Sequence, residues 1–343
     1  MNNQLIMANQ KLIAEALNLS VMTVSRALRN HPDLTEATKQ RVRQKAEELG
    51  YRKHLEKASL AQGKQAQRAT IQRIGILLFK QDNNNEDPLN FETTRKIFAS
   101  IQEECQSLGI ETPVETLPQD SPKRSTLIKN RSIEGLLLMG RYPSGITDAL
   151  GGIPALAVSN FIECVGIPHV VADNFHGMRK TTEHLISLGH RKILFIGSDQ
   201  PNTQLFQERA YGYQAAMQAH DLKPNIIFLN SCRNNLPLQE ISRYTAIACS
   251  NDNLAYQVQA GLMDAGLKLP EDCSMASFDN IHVDEHAMPI TSYEPDWELL
   301  GSTAVNLLTS PPPNFLNNDI AVTIPGKLIL RDSARPPASA QKS

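Results

Sequence analysis

Apolar side chains fall at two kinds of spacing along this chain. In the first fifty residues they recur at helical intervals. Leu12, Ile13, Ala16 and Leu17 share one side of a segment that Asn9 can cap, and the pattern stops at Leu17-Asn18-Leu19. Asn18 stands in the turn, where a left-handed backbone is commonly needed and Asn adopts it more readily than most residues. Ser20 then caps a second helix, its hydroxyl accepting from a free amide at Met22 or Thr23. Val24, Ala27 and Leu28 form the apolar stripe of that helix. A third helix, capped by Thr35, runs through Arg41, Val42, Ala46 and Leu49 to a stop at Gly50. Two short helices on a tight turn, braced by a third, predict a helix-turn-helix.

From Ile74 the spacing changes to short continuous apolar runs separated by helical stretches of ten to fifteen residues. The runs are 74–79, 135–139, 155–158, 192–197 and 246–249, and residues 94–108 form an amphipathic helix ending at Gly109. Such alternation predicts parallel sheets covered by helices on both faces. Some 250 residues are too many for one such sheet and suit two. Between these regions, residues 52–73 are rich in Lys, Gln, Arg and Ala, and read as a linker or a marginal helix that orders only with a partner.

Charge follows the same division. The formal net charge is −2, yet residues 1–68 carry twelve Lys and Arg against six Asp and Glu, a net +6, which leaves −8 for the rest. A basic head on an acidic body suggests a polyanion-binding module joined to something else. At 41% hydrophobic and 20% charged, the composition is that of ordinary globular material. No apolar run approaches the roughly 18 residues of a membrane span, and the start lacks the pattern of a secretory signal. Five scattered cysteines without a CxxC pair argue against structural zinc and against a disulfide framework, and a reducing cytoplasm is the expected compartment.

The segment from Asn18 to Asn30, with Glu36-Ala37-Thr38 and Glu48-Leu49-Gly50-Tyr51, resembles the head of the LacI/GalR transcriptional repressors. The resemblance continues through Asp173-Asn174 with Gly177, the run His184 to Ile193, Arg209-Ala210-Tyr211-Gly212-Tyr213, Asn251-Asp252, Phe278-Asp279-Asn280 and Gly301. It implies an all-α helix-turn-helix head joined to an α/β core like that of periplasmic binding proteins, built from two doubly wound parallel-sheet subdomains. The expected division is a DNA-binding domain at 1–51, a hinge at 52–73, a core at 74–333 and a disordered tail at 334–343. Within the core, one subdomain would take about 74–172 and 296–323, the other about 173–295 and 324–333.

For DNA, the resemblance places the second helix in the major groove with Val21 and Met22 at the base edges. Arg26, one turn on, suits the O6/N7 edge of guanine. Val21 and Met22 have no donors, so they would read thymine methyls or shape; the alternative is that they pack beneath the third helix. Ser20, Thr23, Ser25 and Arg29 are placed for phosphates, which fix register. Leu60 falls on the hinge leucine that the family wedges into a minor-groove step. Lys53-His54 and Ala58 depart from the family's hinge pattern, and the alternative for this stretch is a flexible tether.

For a small-molecule effector, a sugar or sugar derivative by family habit, the resemblance points to Arg209, Asn251 and Asp279 just beyond the carboxyl ends of strands. A guanidinium, an amide and a carboxylate together suit vicinal hydroxyls or a purine edge; the plain alternative is an Arg–Asp pair that staples the lobes. Ser159 stands where many relatives carry Asp. Trp297 either stacks on the ligand or caps the lobe interface, and Phe79 is placed to line the cleft floor. The expected protein is a homodimer that binds a near-palindromic operator, without a cofactor or a membrane role.

Rival readings are a periplasmic solute receptor and an activator in place of a repressor. An enzyme is disfavoured, since GxSxG, GxGxxG after a strand and the P-loop are all missing. His282 and His286 stand i,i+4 and would suit a metal if helical; a solvated surface turn is the alternative. His184 and His190 read as structural.

Overall fold

In the computed structural model the described residues are 10–20, 23–24, 27, 34–48, 71–80, 87–118, 125–142, 145–158, 166–198, 204–229, 236–281 and 287–337. The chain divides into two units, Met1–Thr70 and Ile71–Ser343. In the first, α1 (Gln10–Leu17) ends at Asn18, whose φ of 53° is the left-handed backbone that its turn requires. Ser20 Oγ accepts from the Thr23 amide at 3.0 Å, and Thr23, Val24 and Ala27 are helical. A second cap repeats this geometry: Thr35 Oγ1 accepts from the Thr38 amide at 3.3 Å and opens α2 (Glu36–Glu48). Ile13, Ala14, Val24, Ala27, Val42 and Ala46 close on one another as a small core.

The second unit holds two six-stranded sheets. The first has the order β11-β5-β4-β3-β1-β2, with β1 (Ile74–Phe79), β2 (Val114–Leu117), β3 (Gly135–Gly140), β4 (Ala155–Val158), β5 (His169–Ala172) and β11 (Ala321–Ile324). The second has the order β12-β10-β9-β8-β6-β7, with β6 (Ile193–Ser198), β7 (Ile226–Leu229), β8 (Ala246–Cys249), β9 (Ser274–Phe278), β10 (Thr291–Pro295) and β12 (Gly326–Ile329). Pairing is parallel throughout the first sheet. In the second, β12 runs antiparallel to β10 at the edge. Its direction follows from the crossings: the chain leaves the second lobe after β10 and returns to it through Pro325 between β11 and β12.

The chain passes between the sheets three times: after β5, after β10 and between β11 and β12. Accordingly α7 (Trp297–Thr309), which follows β10 of the second sheet, packs on α3 (Glu92–Ser107) of the first lobe. Gly301 makes that approach possible, because a Cβ there would lie 2.6 Å from Ser100 Oγ. In the second lobe α4 (Asn174–Ser187) lies against α5 (Gln204–Ala219). A Cβ on Gly212 would meet the Phe175 carbonyl oxygen at 2.2 Å, so only glycine fits.

The described body begins before Ile74 and continues past Ser333. The amides of Gln72 and Arg73 donate to Glu134 Oε2 at 3.0 and 2.7 Å, which ties the end of the linker stretch to the first lobe. Arg335, in the segment expected to be a disordered tail, accepts through its carbonyl from Ser274 Oγ at 3.0 Å and pairs with Glu271 at 2.6 Å. The carbonyl is held because β9 leaves Ser274 facing it at the sheet end.

Candidate functional site

Arg209 is carried by α5, whose buried face of Leu205, Phe206, Ala210, Tyr213, Ala216 and Met217 anchors it to the second sheet. Its side chain is 1% exposed, and three groups share its N–H fork. Nε donates to Asn174 Oδ1 at 2.9 Å, Nη1 to the Ser250 carbonyl at 2.6 Å, and Nη2 to Asp279 Oδ1 at 3.0 Å. The guanidinium lies over the Phe278 ring, 3.7 Å from its centroid. Among the described residues three of its five N–H groups are bonded, which leaves two without a described partner.

Each partner comes from the carboxyl end of a strand or from a crossing. Ser250 and Asn251 follow β8, Asp279 follows β9, and Asn174 is the first residue of α4 after β5. Asp279 has φ 108° and is held by its own amide, which donates to the Tyr293 carbonyl at 2.8 Å. Burial pushes its carboxyl upward, and the Arg209 guanidinium opposes that rise. Arg209 stays a cation, because guanidinium is not deprotonated in proteins.

Asp252, at the start of α6 (Asp252–Asp264), is a second buried carboxylate. It accepts from Ser292 Oγ at 2.8 Å and from the Ile281 amide at 2.8 Å. Burial pushes it up to about 7 and the Asp279 charge acts the same way, while the Ile281 and Ser292 hydrogen bonds oppose them. Asp279 pairs with the guanidinium directly, while Asp252 and Glu208 favour its charged form without a hydrogen bond to it. A guanidinium beside a carboxylate suits a ligand whose hydroxyls both donate and accept, while the fully buried Phe278 ring has its face covered by the guanidinium itself.

The residues expected here on sequence grounds come out differently from one another. Arg209 and Asp279 are bonded directly. Asn251 lies beside Ser250, and its Oδ1 accepts from the Leu254 amide at 2.8 Å as the cap of α6, which leaves its amide N–H groups to turn elsewhere. Phe79 is fully buried, edge-on to Tyr142 at 6.1 Å; it belongs to the first-lobe core and not to a cleft floor. Trp297 is 5% exposed in the same lobe's core, with its indole Nε1 buried and bonded to none of the described residues. Ser159 lies outside the described residues.

On the head, Ser20 Oγ is shared between the Thr23 amide and Thr23 Oγ1, at 3.0 and 2.8 Å, so both side chains are held at the exposed start of the second helix. Val21, Met22, Ser25, Arg26, Arg29 and Leu60 lie outside the described residues, as do His282 and His286. His190 is buried between Thr245 Oγ1 at 2.8 Å and the Arg335 carbonyl at 2.9 Å, and burial lowers its pKa as it does that of His184. Among the described residues no three His, Cys, Asp or Glu side chains could hold a metal ion, and no helix is long and apolar enough to cross a membrane.

Asn174, Asp252 and Phe278 were quoted in sequence only as parts of motifs. Their roles depend on which groups the fold brings to Arg209, and no spacing shows that.

Residues 11–54 match the model of bacterial regulatory proteins of the lacI family, and residues 182–334 match a periplasmic binding protein-like domain. The chain is 26% identical over 319 residues to the HTH-type transcriptional repressor PurR of Haemophilus influenzae, covering 88% of this chain and 90% of that one. It is 25% identical over 300 residues to the probable HTH-type transcriptional repressor ExuR of Bacillus subtilis, covering 82% and 85%. In fold it is similar to a transcriptional regulator CelR–cellobiose complex (TM-score 0.63, 19% identity, covering 95% of this chain and 99% of that one). A lac repressor dimer bound to operator and the anti-inducer ONPF is also similar (TM-score 0.60, 21% identity, covering 96% and 99%). So is a lacI-family regulator CcpA of Weissella paramesenteroides with bound sucrose (TM-score 0.63, 20% identity, covering 77% and 99%).

Proposed function

Because the chain belongs to the lacI family of bacterial regulatory proteins, we propose that it is a sequence-specific transcriptional repressor controlled by a small-molecule effector. It binds a near-palindromic operator as a homodimer, two heads on half-sites about one helical turn apart. The effector is a sugar or a related polyol, and the protein works in the cytoplasm without catalysing a reaction. Arg209 and Asp279 hold the effector's hydroxyls, with Asn251 supplying an amide and Ser159 and Trp297 contributing from the other lobe. Ser20, Thr23, Ser25 and Arg29 bind phosphates, Val21, Met22 and Arg26 read bases, and Leu60 wedges the minor groove.

The observation that carries the effector half is the buried Arg209 fork, held on three sides with two N–H groups that bond to none of the described residues. The DNA half is supported by the Ser20 cap, which sets the start of the second helix at the surface of a basic head.

The test is selection of genomic fragments by the purified full chain, followed by footprinting with and without glucose, ribose, sucrose and cellobiose. Protection of two half-sites, changed by one of these or a related sugar, is expected. Binding without sequence preference would overturn the regulator reading.

A further inference from the structure

Lys96 stands on α3 in the first lobe, yet its Nζ donates to the main-chain carbonyl of Asn280 in the second, at 3.3 Å. The same ammonium pairs with Glu92 one turn earlier at 2.9 Å, so the side chain is braced within its own lobe as it reaches across.

What it reaches is the turn after β9. Asp279 and Asn280 are consecutive non-glycine residues with φ 108° and 51°, a backbone that persists only where the surroundings hold it. Most of that hold comes from the second lobe. The Asn280 amide donates to Ser292 Oγ at 3.0 Å, its Nδ2 donates to Glu294 Oε1 at 2.9 Å, and its Oδ1 accepts from Arg331 Nη2. The Asn280 carbonyl is the group of this turn that the first lobe grips, and the ammonium doing so also favours the charged forms of Asp279 and Glu294.

We propose that Lys96 is a positioning residue for the ligand site: from the opposite lobe it holds the Asp279–Asn280 turn that presents the Asp279 carboxylate to Arg209. Lobe spacing and site geometry then change together. Separation of the lobes releases the Asn280 carbonyl and loosens Asp279, while a ligand engaging Asp279 favours the spacing in which Lys96 reaches. This is differential binding to two lobe arrangements, which a ligand needs in order to shift their populations.

The ligand part rests on the reading of Arg209 and Asp279 as the effector contacts; the hold on the turn does not. The test therefore uses the full chain without ligand first. Lys96→Met and Lys96→Arg are compared by amide hydrogen exchange and small-angle X-ray scattering. In Lys96→Met, exchange at the Asn280 and Ile281 amides is expected to rise about ten-fold, with β6 and β8 unchanged. The radius of gyration is expected to increase, and Lys96→Arg to restore both. Unchanged exchange at 280–281 together with unchanged scattering would overturn the proposal. A failure of the effector reading shows separately, as wild-type operator binding that no sugar moves. Where a sugar does bind, Lys96→Met should weaken it several-fold, and equal affinity would refute the positioning role.

Discussion

Asn174 and Arg209 are joined by one 2.9 Å hydrogen bond, Nε to Oδ1, which ties the buried guanidinium to the first helical residue after a lobe crossing. The Asn174 amide also reaches Glu208 Oε2 at 3.3 Å. Asn174→Ala leaves a buried guanidinium N–H without a partner, at a cost of about 1–3 kcal/mol. Urea unfolding should show that loss, and titration with the effector should show weaker binding. A variant with wild-type stability and affinity would count against the bond's importance.

Arg209→Ala should do more. It removes the cation facing Asp279, Asp252 and Glu208 and leaves Asp279 buried and unpaired, for which about 3–5 kcal/mol is typical. Adding Asp279→Asn relieves the unpaired charge, so the double variant should recover much of the stability. It should not recover effector response, measured as the change in operator affinity with sugar. Recovered response would mean that the pair is only a staple.

Asp252 makes stability depend on pH. Its folded pKa is about 7 against an ordinary 3.8, so between those values the folded state binds more protons than the unfolded state. Stability is then highest below the unfolded pKa and falls as pH rises from about 4 through 7, by at most about 4 kcal/mol. Asp279, shifted in the same direction by burial, adds to the trend. Asp252→Asn should flatten the decline in urea midpoint between pH 5 and 8. An unchanged slope would show that Asp252 is ionised throughout.

Two glycine substitutions should differ in severity. Gly212→Ala drives a methyl onto the Phe175 carbonyl oxygen at 2.2 Å, and backbone cannot step aside. Gly301→Ala meets Ser100 Oγ at 2.6 Å and Cβ at 2.7 Å, mostly one small side chain, with the Ile101 amide at 3.0 Å behind it. Overpacking typically costs about 1–3 kcal/mol, and Gly212→Ala should exceed Gly301→Ala in thermal unfolding. The reverse order would mean that α4 and α5 separate more easily than α7 and α3.

Which features could be read in sequence follows from how local their causes are. The Asn18 turn and the Ser20 and Thr35 caps depend on residues within three positions, and each is present as the residue types imply. Strands β1, β3, β4, β6 and β8 are continuous apolar runs buried on both faces, which marks them plainly. β10 is Thr-Ser-Tyr-Glu-Pro, and its burial depends on distant partners: Ser292 on Asp252, Thr291 on Arg331 and Ser333. No local pattern announces a polar strand of that kind. Phe79 shows the converse limit, because a residue at the end of a strand can face either cleft or core, and here Tyr142 and the sheet enclose it. The site's organisation, one guanidinium bonded to Asn174, Ser250 and Asp279 from three separate elements, is a property of topology.

The head offers a test that separates two kinds of DNA contact. Ser20 Oγ caps the second helix through the Thr23 amide, so Ser20→Ala removes a cap worth about 1 kcal/mol together with the phosphate contact proposed for it. Both losses are indifferent to sequence. Operator and random DNA should therefore weaken by similar factors, and the head should melt earlier. Arg26→Ala is expected to differ, because a guanidinium on O6/N7 of guanine discriminates between bases. It should cost about 1–3 kcal/mol on the operator and much less on random duplex. Fluorescence anisotropy with both duplexes at one fixed salt concentration measures the four affinities, since salt alone moves such values by orders of magnitude. Equal losses on both duplexes in Arg26→Ala would place Arg26 on phosphate and leave base reading to its neighbours.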